Sequence, residues 1–159
     1  MDAPDSQEKE DLSQLLAAAE AMTHIGDASP IIISRVIRAH ELLNEVPYKI
    51  DTTGLLYRSS NGTANFQEMS KSLLVGRLPK IVDEINGCDL VLDDKSVGRR
   101  HFSITHSEAG YSLLNLHSSG TFVNGRYISE VDRVFLTSGD EICAGQTNLV
   151  FYICPDPNI

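Results

Sequence analysis

Cysteine is scarce in this chain of 159 residues. Only Cys88, Cys143 and Cys154 occur, an odd number with no Cys-x-x-Cys pair. Neither a disulfide framework nor a zinc site follows, and free thiols in a reducing, cytoplasmic compartment are expected. Long hydrophobic runs are also missing, so no stretch reads as a membrane span. Met1 to Glu10 is acidic and polar and lacks the apolar core of a signal peptide. Positive charge is in deficit: 13 Lys and Arg stand against 22 Asp and Glu, a formal net charge of −9. With no basic block to offset that repulsion, a nucleic-acid partner is disfavoured. Catalytic signatures are absent too. There is no Gly-x-Ser-x-Gly elbow, no His-Glu-x-x-His and no phosphate-binding Gly-Lys-Ser/Thr loop, although His24, His40, His101, His106 and His117 are available. The expectation is a protein that is not an enzyme and needs neither cofactor nor metal.

What is present is enough apolar residue for a packed core, 42% of the chain. The first fifty residues have a helical period. Leu12, Leu15, Leu16, Ala19 and Met22 form one apolar stripe, with Asp5 and Glu8 placed to cap it and Gly26 to end it. Ser29-Pro30 opens a second helix, with Ile32, Ile33, Val36, Ile37, Leu43 and Val46 on its apolar face and Pro47 at its end. This segment carries nine acidic and four basic residues. Two such helices bury little alone and must pack on the following domain, on a second copy or on a partner.

From about residue 52 the period changes to two. Strands are expected at 55–58, 66–69, 72–75, 89–92, 101–105, 111–116, 121–123, 127–128, 134–136, 141–143 and 148–153. Asn61-Gly62 and Asn124-Gly125 read as tight hairpin turns. Many short strands with such turns predict a mainly β chain, an antiparallel two-sheet sandwich with an N-terminal extension of two helices. The organisation expected is a helical extension at 1–50, a sandwich at 51–154 and a loose tail at 155–159.

Within the sandwich, short motifs follow one another in order: Leu74-Val75-Gly76-Arg77, Cys88 to Leu92, Val97 to Phe102, Gly120 to Gly125, Leu136 to Ile142, and Gly145. Residues 54–153 resemble the forkhead-associated (FHA) domain, a reader of phosphothreonine peptides. The resemblance implies an FHA β-sandwich and a phosphothreonine-containing protein partner in signalling. It implies phosphopeptide-binding residues at Arg77, Gly98, Arg99, Ser118, Ser119 and Gly120. Gly76, His101, Thr121, Asn124 and Gly125 are implied as structural motif residues, with His101 bracing the binding loops. The chemistry is coherent, since a phosphothreonine carries close to two negative charges and needs cationic forks and directed donors. Arg99 and Arg100 are adjacent and point to opposite sides of an extended segment, and Arg99 is assigned to the phosphate.

Two positions depart from the family pattern. Gly98 stands where the family has a phosphate-binding serine, which removes one hydroxyl contact worth about tenfold to a hundredfold in affinity. On this reading Gly98→Ser tightens binding. Ser119 stands where the family has a peptide-holding asparagine, in a loop one residue short. The alternative reading is therefore an FHA-fold module in phospho-independent assembly, or in self-association through the N-terminal helices.

Overall fold

The computed structural model describes residues 30–79 and 87–155. The first expected helix, around Leu12 to Met22, lies outside the described residues. Among those described there is one helix, α1 (Pro30–Glu45), followed by eleven strands. These are β1 (Gly54–Arg58), β2 (Ala64–Glu68), β3 (Ser72–Arg77), β4 (Leu90–Leu92), β5 (Phe102–Ser107), β6 (Gly110–Asn115), β7 (Thr121–Val123), β8 (Arg126–Ile128), β9 (Arg133–Leu136), β10 (Glu141–Ala144) and β11 (Thr147–Tyr152). They form a six-stranded sheet in the order β2-β1-β11-β10-β7-β8 and a five-stranded sheet in the order β4-β3-β5-β6-β9.

The expectation of a wholly antiparallel sandwich needs one correction. β3 and β4 run parallel, with Val75 opposite Leu90 and Arg77 opposite Leu92. A parallel pair cannot be closed by a hairpin, and the connection from 78 to 89 supplies the crossover length of about a dozen residues that it requires. A second correction concerns Asn61-Gly62. The β1–β2 loop runs over residues 59–63 rather than two residues, closed by Ser59 N–H to the Thr63 carbonyl at 2.9 Å. The Asn61 side chain accepts from the Thr63 N–H at 3.1 Å, which shapes the loop from within.

Between the sheets lies a core that includes Leu55, Leu73, Val75, Phe102, Ile104, Leu113, Ile142, Leu149 and Phe151. Each fully buried side chain of this size contributes about 1.5–3 kcal/mol by leaving water. A second cluster lies on the outer face of the six-stranded sheet. Leu43, Val46 and Ile50 pack there against Leu56, Ala64, Val150 and Tyr152. β1 and β11 are thus covered on both faces, which explains why Leu55-Leu56 and the run 149–152 are apolar at every position rather than at alternate ones. Of the three expected placements for the second helix, the structure shows packing on the sandwich. Arg38 pairs with Glu141 at 2.8 Å across this junction. Ile37, expected on the apolar face of α1, is exposed.

Candidate functional site

β3 is antiparallel to β5, and β5 to β6. The C-terminal end of β3, the N-terminal end of β5 and the C-terminal end of β6 therefore meet at one edge of the sandwich. That places Arg77, the segment 98–101 and the loop 116–120 together, with Thr121 where that loop re-enters the sheet.

The 98–101 segment lies flush against the end of β3. The Arg77 N–H donates to the Gly98 carbonyl at 2.8 Å, and the His101 N–H to the Val75 carbonyl at 2.8 Å. A Cβ on residue 76 would stand 2.0 Å from the Arg99 carbonyl oxygen, so only glycine permits this approach. Cys88 Sγ also reaches the Arg99 carbonyl, at 3.2 Å. Burial pushes the Cys88 thiol up from its ordinary pKa, against the opposing influence of the nearby Arg100 cation. Arg99 and Arg100 are both exposed. The Arg100 guanidinium lies near Gly87, 3.6 Å from where a Cβ would sit there. Arg77 itself is half-buried.

His101 is fully buried and joins the two loops. Its Nδ1 accepts from the Gly98 N–H at 2.9 Å. That fixes the proton on Nε2, which donates to the Gly120 carbonyl at 2.9 Å. The Leu116 N–H returns to the His101 carbonyl at 2.8 Å. Burial holds the imidazole below its ordinary pKa, outweighing the pull of the Gly120 carbonyl towards the charged form.

Asn115 organises the loop from its other side, and sequence reasoning missed it. It is fully buried. Its amide donates to the carbonyls of His117 and Ile128, each at 3.0 Å. Its Oδ1 accepts from the His117 N–H at 3.2 Å and the Thr121 hydroxyl at 2.8 Å. A signal was available: Asn115 sits two residues after Leu113 on the inward face of β6, where a polar side chain must find partners. Gly120 is required by its φ of +87° and by the Tyr127 ring, which a Cβ would approach to 2.2 Å.

The serines are exposed. Ser119 Oγ lies 2.6 Å from His117 Nδ1, and the Ser119 N–H also donates to that nitrogen at 3.3 Å. His117 stacks on His101 with ring centroids 4.6 Å apart and planes at 21°. Its ring occupies the space that a side chain at 98 would need, since a Cβ there would stand 2.2 Å from His117 Cδ2 and 2.8 Å from Nε2. The expectation that Gly98→Ser simply adds a hydroxyl therefore meets an obstacle, because the imidazole must move first.

Asn124 and Gly125 lie at the far end of β7, away from the loops. Both have positive φ, 54° and 79°, forming a two-residue turn between β7 and β8. Asn124 donates to Asp140 Oδ1 at 2.9 Å and accepts from the Glu141 N–H at 2.9 Å, so it fastens that turn to the sheet.

Known proteins share this architecture. A family model for the FHA domain matches residues 73–145. Over 96 residues the chain is 30% identical to an oxoglutarate dehydrogenase inhibitor of Corynebacterium diphtheriae, covering 59% of this chain and 59% of that protein. The chain therefore spans less than two thirds of that relative's length. The FHA domain of an Arabidopsis thaliana hypothetical protein superposes with a TM-score of 0.53 at 20% identity, covering 68% of this chain and 92% of that one. The FHA domain of the CT664 protein of Chlamydia trachomatis gives 0.52 at 22% identity, over 64% and 97%. The N-terminal FHA domain of S. cerevisiae Rad53p, solved in complex with a phosphothreonine peptide, gives 0.50 at 22% identity, over 63% and 93%. At these identities the structural likeness is one of fold. No helix among the described residues is long and apolar enough to cross a membrane.

Proposed function

Residues 73–145 of this chain are an FHA domain, and on that premise we propose that the chain is an adaptor that grips a phosphothreonine side chain of a partner protein. The observation that carries the reading is the His101 clasp. It holds segment 98–100 and loop 116–120 at fixed spacing beside Arg77. Such a frame is what a dianionic ligand requires, because donors already in place lose little entropy on binding. Arg77 and Arg99 supply the cations and Ser118 a hydroxyl. Arginine suits the role because its fork matches phosphate oxygens in pairs. The chain's overall negative charge makes attraction local to these residues.

A second reading, phospho-independent assembly on the same fold, is favoured by one observation: the hydroxyl-bearing side chain expected at 98 is missing, and the Ser119 hydroxyl is engaged by His117. Titration with a degenerate phosphothreonine peptide pool and its unphosphorylated counterpart separates the two. On the first reading only the phosphorylated pool binds, and Arg77→Ala lowers affinity at least tenfold, since a hydrogen bond to a charged group is worth about 1.5–3 kcal/mol. Equal binding of both pools, or binding indifferent to Arg77→Ala, overturns it.

A further inference from the structure

We propose that His117 supplies the phosphate donor that Gly98 lacks, its Nε2–H standing in for a side-chain hydroxyl at position 98. This inference rests on the phosphothreonine reading and assigns a residue to that same site.

Three observations carry it. The first is space. The positions of a Cβ at 98 and of the His117 ring overlap, so a small residue at 98 and a large one at 117 are parts of one arrangement. The imidazole fills the volume where a side chain at 98 would present its polar atom. The second is the tautomer. A backbone N–H, that of Ser119, donates to His117 Nδ1, so Nδ1 offers its lone pair and the proton sits on Nε2. Nε2 is the ring nitrogen beside residue 98, and among the described residues it has no hydrogen-bond partner. The third is rigidity. The ring is pinned at Nδ1 by Ser119 and stacked on His101, which is itself locked by Gly98 and Gly120. His117 is also held at its backbone, where its N–H and carbonyl both engage Asn115. A donor fixed this way is preorganised, whereas a serine hydroxyl must choose among rotamers.

The assignment also gives Ser119 a task. Where a longer loop with an asparagine would reach the peptide backbone, Ser119 instead orients the imidazole. Ser118, exposed and next in the loop, is left as the hydroxyl facing the ligand.

The test uses the full chain and the degenerate phosphothreonine peptide pool, with melting temperature and amide spectra recorded for each variant. His117→Phe keeps an aromatic ring for stacking and filling but removes the donor. His117→Gln keeps an N–H near the Nε2 position. The expected result is a loss of about tenfold or more for His117→Phe and retention within about threefold for His117→Gln. Gly98→Ser alone weakens binding, because the new side chain displaces the imidazole, and Gly98→Ser with His117→Gly recovers it by trading one donor for the other. If the wild type binds in an Arg77-dependent way and a folded His117→Phe binds equally well, this inference falls while the functional reading stands. If the wild type does not bind but the Gly98→Ser, His117→Gly pair does, His117 is a plug rather than a donor and the inference is overturned. If neither binds, the phosphothreonine reading falls and takes the inference with it.

Discussion

Replacing His101 with alanine removes the clasp between the two loops, and its cost follows from the contacts described above. The ring is fully buried, donating to the Gly120 carbonyl and accepting from the Gly98 N–H. Both of those residues are buried, so truncation leaves one donor and one acceptor without partners. Each buried polar group left unmade costs about 1–3 kcal/mol. The vacated space adds a cavity penalty, of which entering water recovers a part by bonding the exposed groups. The expected loss is about 3–5 kcal/mol, a large share of the 5–15 kcal/mol typical of a domain. The chain has no tryptophan, so urea unfolding is best followed by far-UV circular dichroism. Hydrogen exchange at the Gly98 amide reports the clasp directly, and its protection disappears in the variant. A loss under about 1 kcal/mol with Gly98 protection unchanged would refute the reasoning, because the loops would then be held by something other than this imidazole.

Acidification probes the same residue. The folded-state pKa of His101 is lowered by burial, so the unfolded chain binds the proton more readily and stability falls as pH drops below about 6.5. Urea midpoints between pH 8 and 5 should show this decline, and His101→Ala should flatten it. Asp94 behaves differently. Burial raises its pKa, but hydrogen bonds from the Ser96 and Thr147 hydroxyls and the Ser96 and Gln146 amides outweigh that and bring it to about 2. Its stabilisation is complete above about pH 4 and is lost as pH falls through 2. Asp94→Ala should therefore cost about 1–2 kcal/mol at pH 7 after allowance for solvent screening, with the gap to wild type closing near pH 2 in urea titrations. Gly120→Ala should destabilise by about 1–3 kcal/mol, since it combines a positive φ with the Tyr127 ring. Its melting temperature checks this, and Tyr127→Ala in the same chain should recover part of the loss.

Much of the sandwich can be read from local pattern. The alternation through Leu73, Val75, Phe102, Ile104 and Leu113 marks inward-facing positions, and Pro30 and Pro47 bracket α1 as helix chemistry predicts. What local pattern lacks is partner choice. Nothing in 72–77 or 90–92 says that these strands pair in parallel, because the crossover between them is recorded only as length. The same limit hides the site's finer structure. Residues 98 and 117 are far apart in sequence, and their competition for one volume emerges only after β5 and β6 pair in register. Asn115 was nearer to legible, as a polar residue on an inward-facing position. So was the seating of α1, since the apolar faces of β1 and β11 point both ways. The motif order from Gly76-Arg77 to Asn124-Gly125 carries the resemblance to the FHA domain, yet Asn124 acts with Asp140, away from the loops that the motif brings together.

The central claim is that Arg77, segment 98–101 and loop 116–120 form one phosphate-reading surface. The most direct measurement is a backbone amide NMR titration of the isotopically labelled full chain with the degenerate phosphothreonine pool. The account predicts saturable shifts concentrated at residues 77, 98–101 and 117–120, absent with the unphosphorylated pool. Shifts centred instead on α1 and the outer face of β1 and β11, or identical shifts from both pools, would contradict it.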